Sequence, residues 1–224
     1  MKIIAYMHSD FKEKFGIPRQ SGLADEVMGK IVFEPEYSKD EAFRGLEEYS
    51  HLWVLWKFSL AEREDWSPTV RPPRLGGNRR MGVFATRSPF RPNPIGLSSV
   101  RLHGVCRERG RIVLTVSGID MLDGTPIYDV KPYLSYTDSH PEAKCGFADK
   151  VFDYALTVKF SEECGIDISD EDRVRLTQIL SEDPRPSYID DPKRIYTFTY
   201  GRYEVSFTVS GDALTVTKIE KSLN

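Results

Sequence analysis

Residues 82–98 read GVFATRSPFRPNPIGLS. A short apolar run enters this stretch and another leaves it, and between them Pro89, Pro92 and Pro94 nearly alternate. Each proline fixes its own φ and pushes the residue before it, here Ser88, Arg91 and Asn93, toward extended backbone. The pattern is strand, stiff ridge, strand, with no helical period between them. Such a ridge has little freedom to lose, so Arg87, Arg91 and Asn93 are held as preset polar groups. A proline-stiffened crossover alone explains the prolines but not the arginines and the asparagine. Gly96 then lets the chain re-enter a strand.

The same strand-and-turn reading extends in both directions. Residues 2–7, 27–33, 81–86, 97–103 and 111–119 read as strands, the last two joined by a polar turn at 107–110. Residues 51–58 (HLWVLWKF) read as a strand buried on both faces. Residues 37–46 suit a short helix, with Ser38 as N-cap and Glu41 at the capping-box position. The stretch 65–80 carries Pro68, Pro72, Pro73, Gly76 and Gly77 and reads as an irregular loop. After Tyr136 the pattern changes. Residues 137–150 read as a linker and 151–160 as a strand. Ser169 caps a helix with an acidic first turn that ends before Pro184. Residues 195–200, 203–209 and 214–219 form a three-stranded meander. The division is therefore a mainly β domain at 1–136, a linker at 137–150 and a small α+β domain at 151–224. Without alternating helices the first part cannot be a doubly wound parallel sheet.

Composition narrows the function classes. The chain has 224 residues, 40% hydrophobic and 12% aromatic, enough to build a core. No apolar run approaches the ~18 residues that span a bilayer, and the N-terminus turns polar too soon for a secretory signal, so no membrane contact is expected. Cys106, Cys145 and Cys164 lie far apart, which suits a reducing cytoplasm. His8, His51, His103 and His140 are equally dispersed, and no metal is expected. The sequence has no G-x-G, no P-loop lysine and no G-x-S-x-G elbow, which disfavours Rossmann dehydrogenases, ordinary NTPases and α/β-hydrolases.

Charge is unevenly spread. The total is −3, yet Arg63 to Arg111 holds eleven arginines against three acids and no lysine, a local +8 that leaves −11 for the rest. Arginine rather than lysine offers a planar fork for phosphate or carboxylate. An anionic partner such as a phosphate backbone fits this band, although a solvated loop paired with the acidic remainder has the same composition. Three further clusters stand out. Asp120 to Gly124 (DMLDG) supplies carboxylates at a strand end, or simply an Asp-Gly turn. Residues 17–22 (IPRQSG) offer the Gln20 amide and the backbone of Ser21 and Gly22. Residues 183–188 (DPRPSY) present Arg185 and Tyr188, a pair suited to phosphate contact and base stacking, or a proline turn that ends a helix.

The central stretch resembles the TsaA-like/TrmO family. So do RPPRLGG (71–77), DGTPIYDVKPYL (123–134), KEKFGIPRQSG (12–22), RGLEEYSHLW (44–53) and DPRPSY. This resemblance implies a single-sheeted β-barrel that methylates tRNA with S-adenosylmethionine, on N6 of N6-threonylcarbamoyladenosine next to the anticodon of threonine tRNA. By position it implies cofactor contacts at Gln20, Ser21, Gly22, Phe58, Ser59, Arg87, Leu97, Asp120, Met121, Leu122 and Asp123. It implies tRNA contacts at Arg91, Asn93, Arg185 and Tyr188. It also implies a homodimer with the cofactor close to the subunit interface. No residue must be the base; Asp120, Asp123, Tyr128, Asp129, a water or the substrate's own carboxylate could remove the proton. The alternatives are a non-catalytic RNA-binding module and a small-molecule methyltransferase on the same barrel.

Overall fold

Alternation of buried and less buried residues, clearest in β1, β2 and β3, builds the first sheet of this computed structural model. It describes all residues except 62–64, 73–78, 151–153, 186–190 and 223–224. Strands β1 (Ala5–Ser9), β2 (Met28–Phe33) and β3 (His51–Lys57) are followed by a two-residue pair, β4 (Thr69–Val70) and β5 (Met81–Gly82). Next come β6 (Ile95–Glu108), β7 (Arg111–Ser117) and β8 (Pro126–Pro132). Six of these close a barrel in the order β1-β2-β7-β6-β3-β8, antiparallel at each pairing. Ala5, Met7, Ile31, Leu52, Val54, Val100, Leu114, Val116 and Ile127 fill it. The seam between β1 and β8 is thin: Ala5 pairs with Ile127 and Tyr6 with Pro126.

The single-sheeted barrel and the small α+β unit agree with the expectation. In that unit Ser169 caps the helix as read. Its hydroxyl accepts from Asp172 N–H, and the helix runs Asp170–Ser181. Here α1 denotes the single turn Ser135–Asp138 and α2 this longer helix. The meander is β10 (Tyr196–Tyr200), β11 (Tyr203–Ser210) and β12 (Ala213–Lys221), with β9 (Thr157–Phe160) added parallel to β12.

Several local expectations are corrected. Residues 37–46 form no α-helix. Three 3₁₀ turns, Pro35–Tyr37, Asp40–Phe43 and Leu46–Glu48, occupy the region. Ser38 is instead a buried tie to the barrel: its hydroxyl accepts from Ile112 N–H and lies within 3.4 Å of the Phe33 carbonyl. The strand expected at 81–86 stops at Gly82 and becomes a 3₁₀ turn, Val83–Ala85. Part of the loop expected at 65–80 is regular, as β4. β3 is buried on one face only, through Leu52, Val54 and Trp56. β8, with a proline at each end, went unread as a strand.

The two sheets share one core through residues 10–26. Phe11 packs on Tyr200, and Phe15 sits among Tyr196, Phe198 and Phe207 with ring centroids 6.2–6.4 Å away.

Candidate active site at one end of the barrel

The strand registers bring Ser9, Lys57, Ile95, Ser117 and Pro126 to the same end of the barrel, so the loops 10–27, 58–94 and 118–125 meet there. Arg87, exposed on the 58–94 loop, donates to Gln20 Oε1. Gln20 in turn donates through Nε2 to the Arg19 carbonyl. Ser21 Oγ accepts from Ser99 N–H at 3.0 Å, and Gly22 N–H donates to the Gly118 carbonyl at 2.9 Å. Gly118 needs to be glycine: its φ is +73°, and a Cβ there would meet the Gly22 backbone at 3.4 Å. So IPRQSG is pinned beside the start of 118–125 by its backbone.

Asp120 lies at the centre. Its Oδ1 accepts from Ser98 Oγ at 2.6 Å, and Ser98 Oγ accepts from Trp56 Nε1 at 2.9 Å. Burial raises its carboxyl pKa to about 6, against the pull of Ser98, the Ser21 N–H and the Arg87 charge. The Trp56 ring also explains Gly96, where a Cβ would fall 2.1 Å from the indole. Gly96 is there for close packing as well as strand re-entry. Phe58 covers Trp56 with centroids 4.1 Å apart, and its N–H donates to the Pro94 carbonyl.

The ridge is locked as its prolines suggest. Arg91 N–H donates to the Pro89 carbonyl and Ile95 N–H to the Asn93 carbonyl, two tight turns in sequence. The Arg91 guanidinium itself reaches back to the Thr86 carbonyl at 2.7 Å and the Val83 carbonyl at 3.2 Å. It therefore braces the ridge. Asn93 is exposed.

Other expected residues stand differently. Asp123 has its own partners: it accepts from Lys12 Nζ at 2.8 Å and from Ser9 N–H, with His8 Nδ1 at 3.6 Å. Burial works to raise its pKa, but Lys12, Ser9 and His8 outweigh that and hold it below the usual carboxylate range. Met121 is fully buried, and Leu122 is half-buried and packs on the core. Ser59 is exposed beside Phe58, and Leu97, 55% exposed, lies on the outer face of β6. Asp129 is paired with Lys131 on β8 and Tyr128 is half-buried.

Arg185 does not stand free for phosphate. It is 9% exposed and makes a bidentate pair with Asp183 at 2.8 and 2.9 Å, which Tyr154 OH also joins. Tyr188 lies outside the described residues. The 183–185 segment nonetheless borders the cluster: Arg19 Nη2 donates to the carbonyls of both Asp183 and Arg185. Sequence reasoning missed Arg19, Trp56 and Ser98. The alternation in IGLSSV carried a signal for Ser98, a small polar residue at an inward position between Gly96 and Val100. Among the described residues, no group of three histidines, cysteines or carboxylates converges as metal ligands.

Comparison with known proteins bears on this geometry. The family model described as the tRNA-methyltransferase O N-terminal domain matches residues 6–139, and that of the TrmO C-terminal domain matches residues 153–222. The tRNA (adenine(37)-N6)-methyltransferase of Escherichia coli is 42% identical over 191 residues, covering 83% of this chain and 81% of that protein. A Pseudomonas aeruginosa protein, provisionally named an S-adenosylmethionine-dependent methyltransferase, is 45% identical over 192 residues, with 83% and 81% covered. The crystal structure of TrmO from the same species superposes with a TM-score of 0.77 at 35% identity, over 98% of this chain and 95% of that one. By sequence and by fold alike, this chain belongs to the TrmO family of tRNA methyltransferases.

Proposed function

We propose that the protein transfers a methyl group from S-adenosylmethionine to N6 of adenine 37 in tRNA, and that this adenine carries a threonylcarbamoyl group. The observation that supports it is one juxtaposition: an exposed arginine, an amide, ordered serine and glycine backbone and a partly neutral carboxyl at the same barrel end. That donor set suits a ligand with a carboxylate at one end and cationic or hydroxyl groups at the other, which describes this cofactor. Arg87, steadied by Gln20, offers its fork to the carboxylate. Gln20, Ser21 and Gly22 supply amide and backbone contacts, with Phe58, Ser59 and the backbone of residues 120–123 along the wall.

When bound, the cofactor supplies a methyl group already activated on sulfonium. The protein's work is then alignment and exclusion of water. A threonylcarbamoylated N6 is ureido-like, so its proton must leave. Asp123 and Asp129 are already engaged by Lys12 and Lys131. We assign that proton to Asp120, because a carboxyl raised to about 6 is a stronger base than an ordinary aspartate near neutrality. The division into a methyltransferase domain at 1–136, a linker and a tRNA-contacting domain at 151–224 belongs to the same reading, as does a cytoplasmic homodimer with the cofactor, touched by Leu97, close to the subunit interface.

Incubation with methyl-labelled S-adenosylmethionine and bulk tRNA tests the proposal. Label is expected in threonylcarbamoyl-containing tRNA and not in tRNA lacking that group. Equal labelling of both would remove the threonylcarbamoyl part, and no labelling of either would remove the whole.

A further inference from the structure

Large apolar side chains of this protein are mostly buried, yet Trp66 is 52% and Phe84 70% exposed. Their ring centroids are 6.0 Å apart at 36°. Among the described residues this is the one aromatic pair with both rings exposed. The Arg91 guanidinium lies 5.6 Å from the Phe84 ring centroid.

The backbone beside this pair is tied down. Val83, next to Phe84, is buried, and its N–H donates to the Pro68 carbonyl two residues beyond Trp66. β4 and β5 pair directly behind, and Arg80 Nη1 reaches Thr69 Oγ1 at 3.3 Å. The sequence that follows Trp66 is basic: Arg71, Arg79, Arg80, Arg87 and Arg91 lie within residues 66–91 with no acid among them, although Asp65 directly precedes the ring. Two tilted, solvent-facing rings in an arginine-rich segment suit unpaired bases on an anionic backbone. Base–aromatic stacking contributes about 1–3 kcal/mol per base, and arginine adds cation–π attraction.

We infer that Trp66, Phe84 and Arg91 form a stacking platform for unpaired bases of the tRNA loop that flank the adenine to be methylated. The platform continues the ridge that carries Arg87, so a loop resting on it delivers its neighbouring base toward Asp120. This rests on the proposed function, and it names where the rest of the substrate is held.

Titration with an anticodon stem-loop RNA reads the platform without catalysis. Trp66 is the exposed one of three tryptophans, and its emission is expected to be quenched by the RNA in the native protein and not in Trp66→Phe. Phe84→Ala is expected to raise KM for tRNA at least tenfold, and Phe84→Tyr to restore it. The Kd for S-adenosylmethionine should stay within twofold throughout, which also reports folding. Unchanged RNA affinity in the Trp66→Ala/Phe84→Ala double variant would overturn the platform while leaving methyl transfer by the native protein intact. Conversion of a native dimer to monomer by Phe84→Ala, with RNA affinity unchanged, would overturn it in favour of an interface between copies. If the native protein methylates no tRNA, the proposed function fails on its own, and the quenching titration still decides the platform.

Discussion

Asp120 is harder to ionise than an exposed aspartate, because burial removes water from its carboxyl and outweighs the hydrogen bond from Ser98. Its folded pKa of about 6 lies above the ordinary 3.8, so the unfolded chain ionises first as pH rises. Stability is therefore lost between about pH 4 and 6 and stays lower above that window. Asp120→Asn should flatten the window and stabilise the fold at pH 7 by about 1–3 kcal/mol. Urea midpoints at pH 4.5 and 7 measure this, and an unchanged pH dependence would refute the assignment. The same variant should lose the acidic limb near pH 6 from its kcat/KM profile. A raised Kd for S-adenosylmethionine with normal kcat would instead make Asp120 a ligand contact. Asp183 has the opposite sign. Burial opposes its charge, but Arg185 and Tyr154 prevail and lower its pKa, so its contribution is present above about pH 4 and lost as pH falls below that. Arg185→Ala strands that carboxylate and should cost about 3 kcal/mol or more by thermal or urea melting. The partner was visible in the sequence, since Asp183 stands two residues before Arg185. Charge type alone does not say whether an arginine is presented or paired. Arg87 was legible because it stands on a ridge with no acid nearby in sequence.

Among the elements, periodicity decided most. β2, β7, the capped helix α2 and the meander follow from apolar patterning and end signals that tertiary structure left in place, and the apolar run of β3 marked a strand but not its single buried face. Misreadings fell where a long-range bond outranked local preference. Ser38 has capping-box spacing, but Ile112 N–H claims its hydroxyl across the barrel, and the backbone settles into 3₁₀ turns. Ser38→Ala should cost about 1–3 kcal/mol, since it leaves that buried N–H unpaired. Ser169→Ala removes only a surface cap and should cost about 1 kcal/mol. Equal losses in the two variants by urea melting would show that Ser38 is not a tie. β8 escaped notice because Pro126 and Pro132 look like breakers, whereas prolines at strand ends give up few ladder bonds. Gly96→Ala drives a methyl into the Trp56 indole, and a loss of about 1–3 kcal/mol with red-shifted tryptophan emission is expected.

Across the whole molecule, residues 10–26 do two jobs. They supply Gln20, Ser21 and Gly22 to the site, and they carry Phe11 and Phe15 into the second sheet. Arg19 then donates to the 183–185 segment that follows α2, while its own carbonyl accepts from Gln20. Phe15→Ala should weaken amide-exchange protection in β10 and β11 before it affects β6 and β7, and uniform loss across both sheets would argue against a shared joint. No sequence pattern announced this coupling, because it depends on which ring meets which across more than 180 residues.

The thin seam where Ala5 meets Ile127 has a consequence for how the protein is made. Its two halves leave the ribosome about 120 residues apart, which at 5–20 residues per second is roughly 6–24 s. Throughout that interval the outer edge of β1 has no mate, and an unpaired edge invites foreign strands. The barrel end that carries Asp120 cannot exist until the last staves arrive, so a nascent chain holds no finished wall, and shelter by a chaperone matters most before β8 emerges.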